Sequence, residues 1–254
     1  MHISRRRFSA IAGSAFASFA FGDGCAVQSE PSLPNDGRLS AKPHAGVTTS
    51  TRTERALGLD RKRDAILQLP AKTSSEPLPL FVMLHGAGGS GEGVLRRVAK
   101  AADEAGIAVL APDSRDSTWD AIRDGFGPDV EFIDRALARV FDTVSVDPAR
   151  IAVGGFSDGA SYALSLGLVN GDLFRRVVAF SPGFIVAGPP QGKPQLFISH
   201  GTVDQILPID RCSRVIVPQL QRRGYDVTFK EFDGGHQVPP DIAKDAMRWV
   251  ASRT

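Results

Sequence analysis

Gly155-Phe156-Ser157-Asp158-Gly159 joins an apolar stretch, residues 151–154, to a segment of helical character, residues 158–169. A serine at the tip of such a strand-to-helix turn adopts strained backbone angles, and its hydroxyl is pushed out toward solvent. The glycines two positions before and after it carry no Cβ, so the strand and the helix can approach closely. The first N–H groups of the helix face any negative charge that develops there. Short Gly and Ser motifs also occur in loops, so the rest of the chain decides whether Ser157 has partners.

Around this turn the chain alternates short apolar runs with longer amphipathic ones. The pattern predicts strands at 64–69, 80–84, 108–111, 151–154, 176–180, 195–199 and 227–232, and helices at 93–105, 130–143, 158–169, 209–223 and 240–252. Continuous apolar strands such as 80–84 indicate burial on both faces, as in a parallel sheet covered by helices. We therefore expect a three-layer α/β domain with a mostly parallel central sheet. Ligands should bind beyond the carboxyl ends of its strands.

A glycine-rich loop, His85-Gly86-Ala87-Gly88-Gly89-Ser90-Gly91, follows the strand at 80–84. Such a loop lets backbone N–H groups turn toward an anion. The N–H groups of Ala87 and Asp158 are the expected donors of an oxyanion hole. A phosphate-binding loop is the rival interpretation, but the Gly-Lys-Ser/Thr of a P-loop and the glycine spacing of a dinucleotide site are absent.

An acid and a histidine follow two later strands. Asp204 comes after 195–199, and His236 comes after 227–232 on a loop loosened by glycines. A serine hydroxyl needs an imidazole to take its proton, and the imidazole needs a carboxylate to hold its tautomer. Ser157, Asp204 and His236 are therefore the predicted catalytic residues.

Other serines, acids and histidines fit these roles less well. Two histidines lie in the N-terminal segments, and two precede a glycine at a strand end, where a histidine more often braces a turn than reacts: His2, His44, His85 and His200. Of the competing acids, one follows a different strand, one opens a helix and one is too close to His236: Asp113, Asp210 and Asp233. Two serines near strand ends lack the flanking glycine elbow, because neither has a glycine two positions before it: Ser181 and Ser199.

Two aromatic residues are candidates for the substrate pocket. Trp119 and Phe126 lie in the long segment before the helix at 130–143, and such connections often carry substrate contacts. Packing in the core is an equally open interpretation for both.

The N-terminus predicts export. Ser4-Arg5-Arg6-Arg7-Phe8 precedes an apolar run of about 11 residues, too short to span a bilayer, and resembles a twin-arginine signal. A Sec signal or a cytosolic basic tail is the alternative. We assign residues 1–25 to the signal, 26–55 to a flexible linker rich in Ser, Thr, Pro and Gly, and 56–254 to the catalytic domain. Cys25 is a candidate lipid anchor, and a Cys25–Cys212 disulfide stays open.

Composition limits the function classes. The 254 residues, 42% hydrophobic and 23% charged, describe a globular protein with one domain of ordinary size. Because 30 Lys and Arg stand against 28 Asp and Glu, no strong field indicates nucleic acid as a partner. Membrane contact is expected only if Cys25 is lipidated, and no oligomeric state is indicated.

The order Ser157, Asp204, His236, with Leu84-His85-Gly86-Ala87-Gly88-Gly89 before it, resembles the phospholipase/carboxylesterase branch of the serine α/β-hydrolases. It is also similar to exported feruloyl-esterase and polyhydroxybutyrate-depolymerase-like proteins. The resemblance covers about residues 64–252 and implies the same catalytic residues and oxyanion hole, with no cofactor and no metal. Members of this branch often carry Gln, Met or His at the position of Asp158, so the departure bears on acyl specificity. No insertion is long enough for a large lid.

We therefore predict a serine hydrolase that cleaves small-molecule carboxylic esters through an acyl-enzyme. A peptidase or thioesterase with the same three residues is the first alternative, although Gly159-Ala160 replaces the double glycine common in prolyl-oligopeptidase-like enzymes. A catalytically silent binding protein with this fold is the second.

Overall fold

The computed structural model describes residues 36–49, 56–72, 76–123, 125–186 and 188–253. Within these residues seven strands and five α-helices follow one another with a short 3-10 helix at Asp120–Ile122. The strands are β1 (Ala65–Gln68), β2 (Leu78–Leu84), β3 (Ala108–Pro112), β4 (Val146–Phe156), β5 (Arg176–Phe180), β6 (Gln195–Gly201) and β7 (Val227–Phe232). The helices are α1 (Gly91–Glu104), α2 (Pro128–Thr143), α3 (Asp158–Val169), α4 (Ser213–Arg222) and α5 (Pro240–Ala251).

The strands form a single sheet in the order β1-β3-β2-β4-β5-β6-β7. β1 runs antiparallel to β3, and every other neighbouring pair is parallel. Each predicted strand is present, and the predicted mostly parallel sheet is confirmed. Because the strands from β2 to β7 point the same way, the loops after β2, β4, β6 and β7 meet at one edge of the sheet.

Two hydrophobic cores lie on the two faces of the sheet. Successive side chains of a strand point to opposite faces, so Leu80, Val82 and Leu84 pack with α2, α3 and α4, whereas Phe81 and Met83 pack with α1 and α5. All seven residues of β2 are buried. The apolar run that predicted a doubly covered strand is therefore explained by helices on both faces, which make the three layers.

The start of α4 differs from the prediction. The apolar pattern predicted a helix from residue 209, but the regular helix begins at Ser213. Residues 208–212 instead form tight turns, with Arg211 N–H donating to Pro208 O at 2.9 Å and Cys212 N–H donating to Ile209 O at 3.2 Å. These turns connect the helix to the loop that carries Asp204.

The segment 36–49 corrects the predicted flexible linker. Leu39 and Ala41 are buried in the core on the α2 and α3 face. The Arg38 guanidinium forms two hydrogen bonds with the Asp172 carboxylate, at 2.8 and 2.9 Å. Leu39 N–H donates to Asn170 Oδ1 at 2.9 Å. The composition of this segment is that of a linker, but residues 36–49 form a strap that packs against the domain. The other residues of 26–55 lie outside those the structure describes.

The loops after β2, β4, β6 and β7 lie at the carboxyl edge of the sheet. No large lid covers this edge in the part of the chain that the structure describes, as the lack of a long insertion predicts. Across the same residues, no helix combines the length and the apolar character needed to cross a bilayer.

Candidate active site

Ser157 lies between β4 and α3 with φ 59° and ψ −123°, a conformation that is strained for any residue with a side chain. Flanking glycines permit it, because a Cβ on Gly155 would collide with the Gly159 carbonyl and one on Gly159 would collide with the Leu84 carbonyl. The Ser157 N–H donates to Phe180 O at 3.0 Å, which fixes the turn to β5. Its hydroxyl does not cap α3 and is half-buried. The turn therefore presents a free hydroxyl at the edge of the sheet.

The structure brings Asp204 and His236 together. His236 Nδ1–H donates to Asp204 Oδ2 at 2.6 Å, and the N–H groups of Ile206 and Leu207 donate to Oδ1, each at 2.9 Å. Burial disfavours the Asp204 carboxylate, but these hydrogen bonds outweigh it and lower the pKa of Asp204 below its usual value. An ionised carboxylate only accepts, so the bond holds the proton on Nδ1 and leaves Nε2 free to accept one.

Phe156 places His236 beside the serine. The rings of Phe156 and His236 lie 4.6 Å apart, and Phe156 directly precedes Ser157. Among the described residues the Ser157 hydroxyl makes no hydrogen bond, to His236 or to any other group. Hydrogen bonds between catalytic groups are often long before substrate binds and shorten in the complex. The arrangement therefore has the elements of a nucleophile, a base and an orienting acid.

Two backbone N–H groups beside Ser157 are available to an anion. A Cβ on Gly86 would lie 3.1 Å from Ser157 Cβ, so the loop after β2 passes directly next to the serine. Gly88 N–H donates to Ser117 O at 2.6 Å and Gly89 N–H to Gly86 O at 3.0 Å, whereas Ala87 N–H has no acceptor among the described residues. Asp158 is the first residue of α3, where an N–H has no partner within the helix.

A family model described as phospholipase/carboxylesterase matches residues 107–252, more than half of the chain. The chain belongs to this family. The match contains Ser157, Asp204 and His236.

This phospholipase/carboxylesterase family member is similar to proteins of known name and of known structure. NocK of Nocardia uniformis subsp. tsuyamanensis, a protein named as an esterase, is 29% identical over 187 residues, which cover 69% of this chain and 54% of NocK. The chain spans about half the length of the curated relatives it matches. The carboxylesterase of Bacillus cereus superposes with a TM-score of 0.57 at 22% identity, covering 75% of this chain and 94% of that one.

A second solved structure, the substrate-bound fluorophosphonate-binding serine hydrolase F of Staphylococcus aureus, superposes with a TM-score of 0.62. It is 18% identical, and the match covers 75% of this chain and 93% of that one. At these identities the likenesses show the α/β-hydrolase fold.

In this phospholipase/carboxylesterase family member, Asp158 is held by a residue that the sequence did not single out. Thr118 Oγ–H donates to Asp158 Oδ2 at 2.7 Å, from the connection between β3 and α2. The Asp158 carboxylate is thus fixed next to Ser157. Forty residues separate the two side chains, so no local pattern could have indicated the contact.

His85 and His200 brace turns, as their positions at strand ends predicted. His85 Nδ1–H donates to Gly86 O at 2.8 Å, and its Nε2 accepts from Ser114 N–H at 2.9 Å. His200 Nε2–H donates to Leu207 O at 2.7 Å and lies 3.3 Å from Asp204 Oδ2. Burial lowers the pKa of both histidines, which keeps them neutral. The sequence did not predict that His200 would support the Asp204 loop.

Trp119 is a correction to the predicted substrate pocket, and Phe126 packs close to it. Trp119 has no exposed surface, stacks on Tyr162 at 5.1 Å between ring centres, and donates its indole N–H to His85 O at 2.8 Å. Phe126 packs edge-on against Tyr162 at 5.9 Å, and a Cβ on Gly37 would collide with its ring. Trp119 therefore supports the loop after β2 from inside the core, where a substrate does not reach it, whereas Phe126 is half-buried and its contact with substrate stays a prediction.

Metal ligands do not cluster in the part of the chain that the structure describes: no group of three or more His, Cys, Asp or Glu side chains is arranged to hold an ion. Cys212 is free and buried, and burial raises the pKa of its thiol. Cys25 lies outside the described residues, so the lipid anchor and the disulfide stay predictions.

Proposed function

We propose that the protein is a carboxylesterase that cleaves carboxylic esters through an acyl-enzyme on Ser157. The observation that carries the proposal is the 2.6 Å bond between His236 Nδ1 and Asp204 Oδ2, with the His236 ring packed 4.6 Å from the ring of Phe156, the residue next to Ser157. The family match supports the same chemistry. An imidazole held in this tautomer beside a free serine hydroxyl is suited to general-base catalysis.

The reaction proceeds in two halves. His236 Nε2 takes the Ser157 proton as Oγ attacks the ester carbonyl, and the negative oxygen accepts hydrogen bonds from Ala87 N–H and Asp158 N–H. His236 then donates the proton to the alcohol oxygen, the C–O bond breaks and the acyl group stays on Ser157. Water attacks the acyl-enzyme with His236 again as base, the C–O bond to Ser157 breaks and releases the carboxylic acid, and His236 returns the proton to Ser157 Oγ. Asp204 stabilises the imidazolium in both halves.

Hydrolysis of p-nitrophenyl butyrate tests the proposal. Pre-steady-state absorbance measures the burst of p-nitrophenol, and peptide mass spectrometry locates the acyl group. We expect one equivalent of fast p-nitrophenol release and a transient butyryl mass on the peptide that contains Ser157. A panel with matched aryl esters, a thioester and a peptide amide separates the esterase from the alternatives. Preference for the thioester or the amide in kcat/KM would replace the ester assignment, and absence of turnover on all three would favour a binding protein.

We propose further that residues 1–25 direct export in folded form, on the strength of the Arg5-Arg6 pair. Replacing both arginines with lysine should leave the full-length protein in the cytoplasm, as measured by fractionation of cells that express each form. Unchanged export would favour a Sec signal. Labelling with a radioactive fatty acid, compared between the wild type and Cys25→Ser, decides whether Cys25 is lipidated.

A further inference from the structure

Arg97 on α1 lies next to the candidate active site and has no ion-pair partner among the described residues. Its guanidinium carbon lies 4.5 Å from the centre of the Phe156 ring. Its side chain is exposed, and it forms no ion pair or hydrogen bond with any described residue. A guanidinium left without a carboxylate is free to bind carboxylate or phosphate oxygens through paired N–H groups.

The position of Arg97 relative to His236 indicates which part of a substrate it meets. The same Phe156 ring contacts Arg97 at 4.5 Å and His236 at 4.6 Å, so guanidinium and imidazole lie no more than about 9 Å apart. In the proposed reaction His236 hands its proton to the departing alcohol oxygen. The alcohol part of the ester must therefore lie on the His236 side, where Arg97 is within reach of a group several bonds away.

A cationic groove extends from Arg97 between α1 and α5. It encloses about 400 Å³ and is lined by four cationic side chains and two carboxylates: Arg96, Arg97, Lys100, Lys244, Glu104 and Asp241. Two of the cations are paired, Arg96 with Glu92 at 2.8 Å and Lys244 with Glu104 at 3.7 Å. Lys100 has no carboxylate partner among the described residues. The groove therefore has an excess of positive charge on the side of Arg97.

Asp158 sets where an anion can lie. Asp158 directly follows Ser157, and Thr118 holds its carboxylate in place. A carboxylate or phosphate of the substrate that lay next to the reacting carbonyl would therefore meet a like charge. An anion on the alcohol part, several bonds from the ester oxygen, lies instead beside Arg97. The two charges together favour an ester that is neutral at its centre and anionic at its leaving end.

We propose that Arg97 is a specificity-determining residue that binds an anionic group on the alcohol part of the ester. The substrate class is an acyl ester of an alcohol or phenol that carries a carboxylate or a phosphate. This inference rests on the proposed esterase function and adds the chemistry of the leaving group to it.

Matched aryl acetates test the inference in the full chain. The anionic 4-acetoxybenzoate and 4-acetoxyphenyl phosphate are compared with neutral methyl 4-acetoxybenzoate, and the acyl side is probed with 4-nitrophenyl hemisuccinate against 4-nitrophenyl butyrate. The variant is Arg97→Gln. Arg222→Gln is the charge-matched control, because Arg222 is an exposed cation at the end of α4, on the other face of the sheet.

We expect Arg97→Gln to lower the anionic-to-neutral ratio of kcat/KM about tenfold for the acetoxy substrates, mainly through KM. The ratio should stay unchanged in Arg222→Gln and should shrink with added salt. A larger fall in kcat/KM for 4-acetoxybenzoate than for 4-acetoxyphenyl phosphate would identify a carboxylate as the group that Arg97 binds, and the reverse would identify a phosphate. An unchanged ratio in Arg97→Gln, an equal fall in Arg222→Gln, or an effect confined to the hemisuccinate would overturn the inference while leaving the esterase intact. No turnover of any ester by the wild type would overturn the proposed function itself.

Discussion

Ser157 and Ser181 directly follow two neighbouring strands, β4 and β5, and each has a strained, positive φ. They are the two residues other than glycine with positive φ in the part of the chain that the structure describes, at 59° and 53°. Each donates a backbone hydrogen bond to the next strand: Ser157 N–H to Phe180 O at 3.0 Å, and Ser181 N–H to Ser199 O at 2.8 Å. In backbone terms the two serines are therefore near equivalents.

Their surroundings differ in every respect that chemistry requires. Ser157 is half-buried, directly precedes α3 and follows Phe156, whose ring lies 4.6 Å from the ring of His236. Ser181 is 1% exposed, and its hydroxyl has no hydrogen-bond partner among the described residues. The coil after it is held by Ser161 Oγ, which accepts from Gly183 N–H at 2.9 Å. Backbone strain alone therefore does not make a nucleophile; exposure and an acid–base pair are also needed.

The largest expected difference between the two serines is in turnover. Ser157→Ala should lower kcat for p-nitrophenyl butyrate by a factor on the order of 10⁶, because the attacking oxygen is removed. Ser181→Ala should keep kcat within about twofold, since its hydroxyl is buried away from substrate. Steady-state kinetics on both purified variants measure this, with circular dichroism to show that each is folded. Comparable losses in the two variants would contradict the contrast.

The acid–base pair is the next test. Asp204→Asn should lower kcat by a factor on the order of 10⁴, because an amide can donate to Nδ1 and so stabilise the wrong tautomer of His236. KM should change little, since Asp204 does not touch substrate. Kinetics at saturating ester give the number. If Asp204→Asn lost less than tenfold, Ser157 would not depend on this carboxylate.

The glycines that flank Ser157 are a third point of difference. Gly159→Ala should lower the free energy of unfolding by about 2 kcal/mol, because the new Cβ meets the Leu84 and His85 carbonyls despite the better helix propensity of alanine. Gly235→Ala is the control, since a Cβ there has open space. Urea unfolding of both variants measures the change. Equal stability would mean that the strand and helix can move apart.

The smallest effect is a gain in stability at Ser181. Removing its buried, unpartnered hydroxyl in Ser181→Ala should raise the free energy of unfolding by about 1 kcal/mol. Ser157→Ala should change it by less than about 0.5 kcal/mol, because that hydroxyl is half-exposed. The same urea titrations supply both values. A loss of stability in Ser181→Ala would show that the hydroxyl has a partner in solution.

The sequence predicted those site residues that lie directly after a strand. Residues that follow the apolar strands converge at one edge of a parallel sheet, so the pairing of Asp204 with His236 could be predicted from the sequence. The boundaries of α3, β5 and β7 were also predicted to the residue, because each begins and ends where the apolar pattern does.

Contacts between distant segments were beyond such reasoning. Trp119 is aromatic and lies in a loop, but only the fold shows that its indole N–H meets the His85 carbonyl inside the core. Leu39 and Ala41 lie in a segment with linker composition, and only the fold shows that hydrogen bonds to Asp172, Asn170 and Asp134 hold it. Arg97 belongs to an ordinary polar helix face until Phe156 is placed beneath it.

Labelling with a fluorophosphonate probe, read out by peptide mass spectrometry, tests most directly the claim that Ser157 and not Ser181 is the nucleophile. The account predicts one adduct per chain on the peptide that contains Ser157, full labelling of Ser181→Ala and none of Ser157→Ala. An adduct on the peptide that contains Ser181, or labelling that persists in Ser157→Ala, would contradict it.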